Sequence, residues 1–490
     1  MKKNMNDQIA KLQPVEIWEN FVALNAVPRP SKKEEKVRQF MLDFGKKLGL
    51  ETFEDKIGNV IIKKPATSGM EHKKTVALQS HLDMVPQKNK GTDHDFEKDG
   101  ISMLIDGDWV TADGTTLGAD NGIGVAAIMG LLASKDIPHP ALEALFTIDE
   151  ETGMTGAQHL EEGILDAEIM LNLDTEEDDE LDIGCAGGID ISAKGKYNEI
   201  PADKNGKAYQ IKVKGLTGGH SGMDIHLYRG NANKILNRLL YKANAKGMQL
   251  AEFNGGGLRN AIPREAEATV VLPADKADEI LKELKELSET IQVEQAKQDP
   301  DLTFEFNPVD MPAKVMDKQA QDKLIKTVYA AHNGVFRMSP DIDDLVETSN
   351  NVAQVVVSGG NIQIENLTRS SVESTKEDLA NNLKSVYELG GLEVELSGSY
   401  PGWKPNPDAK ILSVMTDLYE KMYNDKPKVV ACHAGLECGI IKSHYPNMEM
   451  ISFGPTIQGA HSPDERVNIE SVQKFWEYLK ETLKNIPDKD

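Results

Sequence analysis

Residues 75–83 read TVALQSHLD, an apolar-rich run from Thr75 to Ser80 that ends on two side chains able to bind metal, His81 and Asp83. A short run of this composition, without polar alternation, fits a strand buried on both faces. Two further runs share the design: Ala141–Ile148 is followed by Asp149, Glu150 and Glu151, and Ile169–Leu173 by Asp174. In open α/β sheets, ligand sites form beyond the carboxyl ends of the strands, so three such endings predict one shared site. A helix beginning near Gly122 places Asp120, in LGADNG, just before its start.

Outward from these runs, the N-terminal third alternates strand-like and helix-like segments, the pattern of an α/β layer with a largely parallel sheet. After Gly187 the texture changes. Tyr209–Val213, Ala268–Leu272 and Leu302–Phe306 read as strands, while Ala232–Ala245 and Ala277–Gln295 read as amphipathic helices. From about Gln319 to Ser397 the order helix, strand, strand, helix, strand repeats, which suggests an internal duplication. Val429–Ala431 and Met448–Ser452 then restore the parallel-sheet texture, and Ser471–Asn485 closes the chain as a helix. The expected architecture is an α/β domain built from residues 1–188 and 400–490, with an α+β domain inserted at 189–399.

The chain has 490 residues and a formal charge of −24, which argues against phosphate backbones and anionic lipid as partners, because both need clustered Lys and Arg. The longest apolar stretch, Gly124–Ala133, is far below the roughly 20 residues of a membrane span. MKKNMNDQIAKLQP runs into polar residues without a signal-peptide core, so a cytoplasmic location is expected. Cys185, Cys432 and Cys438 are too few and too irregularly spaced for a disulfide framework. Cys432, His433 and Cys438 lack the CxxC spacing and the second half of a structural zinc site, and buried thiols are the better reading.

Five segments carry the candidate chemistry: SHLDMV, LGADNG, TIDEETG, LNLDTEE and GAHSPDE, the last around His461. Singly, an acidic loop residue is usually just solvated and an isolated His usually structural. Together they supply two imidazoles and at least three carboxylates at strand ends or loops, the donors that zinc accepts. GADNGIGVAAIMG has paired glycines but no P-loop Lys and Ser or Thr, so nucleotide binding is not expected. TEEDDELD, residues 175–182, lacks the glycine and spacing of an EF-hand and reads as a solvated loop.

These segments, in this order, resemble the co-catalytic di-zinc peptidases that include carboxypeptidase G, bacterial tripeptidase and the aminoacylhistidine dipeptidases. HAGLECG, residues 433–439, and the LNLD form around Asp174 are most similar to the aminoacylhistidine dipeptidases. The resemblance implies a catalytic domain with an inserted lid, and two divalent ions per chain: zinc by default, with manganese or cobalt as alternatives. It implies that Asp120 bridges the ions, that His81 and Asp174 complete one site and Glu151 and His461 the other, and that the Asp120–Asn121 peptide bond is cis. Asp83 would accept the remaining imidazole proton of His81 and fix its tautomer. Glu150 would act as general base, and an extended segment would point it away from Glu151.

Within the insert, GGHSGMD, RNAIPRE and LTRSS hold His220, Asn260 and Arg369. By resemblance, His220 polarises the scissile carbonyl, while Asn260 and Arg369 hold substrate, Arg369 through the terminal carboxylate. Asp at position 174 goes, among such relatives, with aminopeptidase or dipeptidase activity, and Glu with carboxypeptidase or deacylase activity. The expected substrate is therefore an unblocked dipeptide, Xaa-His dipeptides such as β-alanyl-histidine among them, with a tripeptidase or an N-acyl amino acid amidohydrolase as alternatives. A non-catalytic binding protein should lack the base or a ligand, and none is missing here. A homodimer through the lid would place His220 in trans, and a duplicated lid would supply it in cis.

Overall fold

The apolar runs that end in polar side chains form strands with both faces covered. The computed structural model describes residues 4–489. The N-terminal strands of its main sheet are Glu51–Glu54 (β1), Val60–Lys64 (β2), Val76–His81 (β3), Leu142–Thr147 (β4), Ile169–Asn172 (β5) and Glu180–Cys185 (β6). Every residue of β3, β4 and β5 is buried, which explains why their sequences do not alternate.

Helix Val15–Asn25 (α1) packs against Ala119–Ala133 (α2), and α2 also packs on β3. Asp120 and Asn121 have non-helical backbone angles, so the regular part of α2 starts at Gly122, as the sequence predicts. Gly124 permits the close approach: a Cβ there would collide with the Ser80 hydroxyl and the Leu173 carbonyl.

TEEDDELD is not wholly a loop. β6 begins at Glu180, and Leu181, Ile183 and Cys185 alternate along a buried strand. Asp182 is buried with them and accepts a hydrogen bond from Thr175 Oγ1 at 2.7 Å.

A second compact unit comprises Cys185–Lys404 and Cys432–Gly435. The long strands of its large sheet are Gly187–Lys196 (β7), Lys207–Lys214 (β8), Gln249–Gly256 (β9), Ala266–Leu272 (β10), Thr303–Pro308 (β11), Val346–Ser358 (β12), Asn361–Ser370 (β13) and Glu393–Tyr400 (β14). Its long helices are Ala232–Asn244 (α3), Ala277–Gln295 (α4), Lys318–Ala330 (α5) and Glu373–Leu389 (α6). The eight strands lie in the order β11-β8-β10-β9-β12-β13-β7-β14, all neighbours antiparallel, with Gly334–Met338 added on β12.

The repeat of element order has a counterpart in space. From either edge inward, the strands of each half run last, first, third, second: β11, β8, β10, β9 on one side and β14, β7, β13, β12 on the other. The halves meet at the β9–β12 pair. β7 belongs to the second half by position but precedes the first in sequence, so the repeat legible in sequence starts at a helix. One apolar core, including Ile191, Leu236, Phe253, Val355 and Leu383, underlies the sheet.

The chain then returns to the first unit, which holds residues up to Gly184, Pro405–Ala431 and Leu436 onward. Lys428–Cys432 (β15) and Glu449–Ser452 (β16) complete a sheet of order β1-β2-β4-β3-β5-β16-β6-β15, and Ile469–Lys484 (α7) closes the chain. Its centre, β4-β3-β5-β16, is parallel, whereas β1, β2 and β6 pair antiparallel.

Candidate active site

Beyond the carboxyl ends of β3, β4 and β5, the five ligand candidates converge as two triads that share one residue. His81, Asp120 and Asp174 form one, and Asp120, Glu151 and His461 the other, with the donor atoms of each triad within 4.8 Å of one another. Asp120 faces both: Oδ1 lies 3.1 Å from His81 Nε2, and Oδ2 lies 3.2 Å from His461 Nε2. His461 Nε2 is also 2.9 Å from Glu151 Oε2, and His81 Nε2 is 3.5 Å from Asp174 Oδ1. Donor atoms of Glu150, His81 and Glu151 likewise lie within 4.8 Å of one another.

The donor set fits two divalent cations. Two imidazoles and three carboxylates are the nitrogen and oxygen ligands such ions take, and Glu151 Oε1 is buried without a hydrogen-bond partner. The local field points the same way. Burial, which disfavours the charged ring, is outweighed at His81 by Asp174, Asp120 and Asp83, which raise its pKa well above the usual value. His461 is pushed up to about 11 by its bonds to Asp120 and Glu151. Burial, then Asp174, Glu437 and Glu151, hold the Glu150 carboxyl well above its ordinary range, despite His81. This is a nest of negative charge that favours cations.

Glu150 and Glu151 do not lie in an extended segment. They open a helical turn, Glu150–Gly153, after Asp149 takes left-handed backbone angles (φ 53°). Successive side chains on a helix diverge by about 100°, so the two carboxylates separate by helical rotation rather than by strand alternation.

Asp83 anchors that turn. Its carboxylate accepts the backbone N–H groups of Glu150 at 3.0 Å and Glu151 at 3.2 Å, and lies 3.4 Å from His81 Nδ1. The shorter contact of Nδ1 is to the Asp83 backbone carbonyl, at 3.2 Å. Both the carboxylate and the main chain of Asp83 thus face Nδ1 of His81.

Four supporting residues had no assigned role in the sequence reading. Glu465, buried, accepts the N–H groups of Leu117, Gly118, Ala119 and Asp120 at 2.7–3.2 Å, and burial pushes its pKa up to about 7 against those donors. Arg29, also buried, donates to the carbonyls of Leu82, Asp83 and Gly118. Asn121 follows a cis peptide bond and donates to Asp174 Oδ1 and the Leu173 carbonyl. Glu437 accepts from Gln79 Nε2 at 2.7 Å and Thr147 Oγ1 at 2.6 Å. Glu437 and Glu465 lie within the quoted motifs HAGLECG and GAHSPDE, the signal that could have marked them.

In the second unit, Gly219–His220 pairs with Ala261–Ile262, and the Asn260 carbonyl accepts the Ser221 N–H at 2.8 Å. The Asn260 side chain is exposed. His220 Nδ1 accepts the N–H groups of Gly222 (3.2 Å) and Met223 (3.0 Å). The ring proton is therefore placed on Nε2, and burial followed by Arg369 lowers the pKa, favouring the neutral form. Arg369 is buried on β13 and donates from Nη1 to Tyr400 Oη at 2.8 Å.

Peptidase family M20/M25/M40 matches residues 77–485. The chain is 42% identical to the cytosol non-specific dipeptidase of Escherichia coli over 483 residues, covering 98% of this chain and 100% of that protein. An aminoacylhistidine dipeptidase from Vibrio alginolyticus has the same fold at TM-score 0.94 and 46% identity, covering 98% of this chain and 99% of that one. The aminopeptidase PepT of Bacillus cereus, at TM-score 0.57 and 17% identity over 97% of this chain and 99% of that one, shares the fold alone. Among the described residues, no helix is long and apolar enough to cross a membrane. The resemblance read from the five motifs and the full-length likeness to these relatives agree, and the chain belongs to peptidase family M20/M25/M40, a family of peptide hydrolases.

Proposed function

We propose that this chain hydrolyses unblocked dipeptides, Xaa-His dipeptides such as β-alanyl-histidine among them, with two divalent cations held by the triads that share Asp120. The observation that carries the reading is that each oxygen of Asp120 faces a different imidazole. Zinc suits the mixed donors, and manganese or cobalt are the alternatives. Such cations supply Lewis acidity, which lowers the pKa of water towards about 7 and polarises a carbonyl.

Glu150 takes a proton from the attacking water and delivers it to the leaving amine. His220, with Nδ1 occupied by two amide donors, offers Nε2–H to the carbonyl oxygen as negative charge develops there. Asn260 holds the substrate, and Arg369 takes its terminal carboxylate, a task its planar fork suits. The names of the Escherichia coli and Vibrio relatives support a dipeptide substrate, and the first supports a cytosolic location.

The test is kcat/KM for alanyl-histidine, its N-acetyl form, its carboxamide and an alanyl tripeptide, with added zinc, manganese or cobalt. Each lost charged end should cost roughly ten- to 150-fold. Faster cleavage of the acetylated compound would favour an amidohydrolase instead. Mixing His220→Ala with Glu150→Gln chains tests a homodimer through the inserted unit, since activity returns only if the partner supplies His220.

A further inference from the structure

Arg369 is 5% exposed, its Nε has no hydrogen-bond partner, and no carboxylate lies within ion-pair distance of it among the described residues. Asp190 acts on it through space but is drawn to Arg259, whose Nε is 3.4 Å from Asp190 Oδ2. A guanidinium buried without a paired anion is unfavourable, so an anion belongs beside it. The proposed function already supplies one, the carboxylate of the peptide. It leaves unused the histidine on the same face of the sheet.

His433 lies in Cys432–Gly435, the short segment after Lys404 that groups with the second unit. Its backbone presses against Gly222, where a Cβ would collide with the His433 carbonyl and sit 3.1 Å from His220 Cε1. The ring is 7% exposed, with Nε2 2.8 Å from Ser349 Oγ. Ser349 is the direct cross-strand partner of Arg369, and directly paired residues project to one face. Nδ1 is buried and makes no hydrogen bond; the Val346 carbonyl also acts on the ring.

Burial first, then Arg369, His220 and His226, keep the His433 ring neutral. Where the Ser349 hydroxyl donates to Nε2, the proton resides on Nδ1, a buried N–H without a hydrogen-bond partner, on a ring close enough to Arg369 for the guanidinium charge to act on it. We propose that His433 is a specificity-determining residue whose Nδ1–H donates to the same carboxylate that Arg369 binds, with Ser349 fixing its tautomer. The inference rests on the reading that Arg369 takes the terminal carboxylate of the substrate.

The test compares alanyl-alanine with its carboxamide, measuring kcat and KM separately on the metal-loaded enzyme. His433→Leu should raise KM for the free dipeptide about tenfold, leave kcat within about twofold, and leave the carboxamide unaffected. His433→Asn, whose amide can place an N–H near the Nδ1 position, should recover part of the loss. Ser349→Ala keeps the imidazole but frees its tautomer, and should raise KM for the free dipeptide alone by about two- to fivefold. Equal losses on both substrates, or a fall in kcat at constant KM, would overturn the proposal in favour of a structural or catalytic role. Wild-type enzyme that does not distinguish the two substrates would instead overturn the reading of Arg369. A wild type that discriminates, with His433→Leu and Ser349→Ala unchanged in KM, would overturn the role of His433 alone.

Discussion

Glu465 accepts the backbone N–H of Asp120 at 3.2 Å, and its two oxygens also take the three preceding amides. One buried carboxylate therefore shapes the loop that presents the shared residue of both triads. Glu465→Gln replaces one acceptor oxygen with a donor facing backbone N–H groups. The expected outcome is a metal affinity ten- to 100-fold weaker, as for other residues that orient ligands, and a lower Tm of the metal-free protein. Calorimetric metal titration and thermal unfolding check it, and unchanged affinity would remove Glu465 from the supporting set.

Glu150→Gln should keep the fold and the metal content while kcat falls by about 10²- to 10⁴-fold, because the amide is nearly isosteric but cannot accept a proton. Steady-state rates and elemental analysis on the same sample decide this. Near-normal turnover would contradict the assignment of Glu150 as base.

Asp120→Asn should lower occupancy at both sites together, since Asp120 is the residue common to the two triads. His461→Ala should affect the second triad first. Metal-to-protein ratios after dialysis distinguish the two variants; a wild-type chain fully active with one ion would overturn the two-cation reading. Exhaustive chelation should abolish turnover, and readdition of zinc, manganese or cobalt should restore it to different extents.

His433 makes acid stability testable. Burial, then Arg369, His220 and His226, lower its pKa from 6.5 to about 3 in the folded chain. Between those values the unfolded chain binds a proton that the folded chain does not. The stability from a neutral His433 is therefore fully present above pH 6.5 and is lost as pH falls towards 3, at about 1.4 kcal/mol per pH unit as an upper bound. His433→Gln should flatten this part of the profile. Urea unfolding of both proteins from pH 7 to pH 4 checks it, and parallel curves would show that His433 is not the responsible group.

Much of the site is legible in sequence because burial on both faces writes a continuous apolar run, and such runs end where the strands emerge. TVALQSHLD, ALEALFTIDEE and IMLNLD announce their strand ends within ten residues or so, and the motif order carries the family. The inserted unit is legible as a repeat of elements for the same local reason, and only the position of β7 in the sheet completes its second half.

Amino-acid sequence by itself determined the family and the parallel centre of the sheet, because periodicity and short motifs are properties of neighbouring residues. Tertiary structure alone decided that Glu150 and Glu151 open a helical turn after a left-handed Asp149, and that Asp182 lies in a buried strand. It also decided that Glu465 and Arg29 brace a loop and a strand end far from them in sequence, and that His433 meets Ser349. A buried polar residue and a solvated one carry the same letter. What separates them is whether distant chain excludes water and supplies hydrogen-bond partners, and that is a property of the folded molecule.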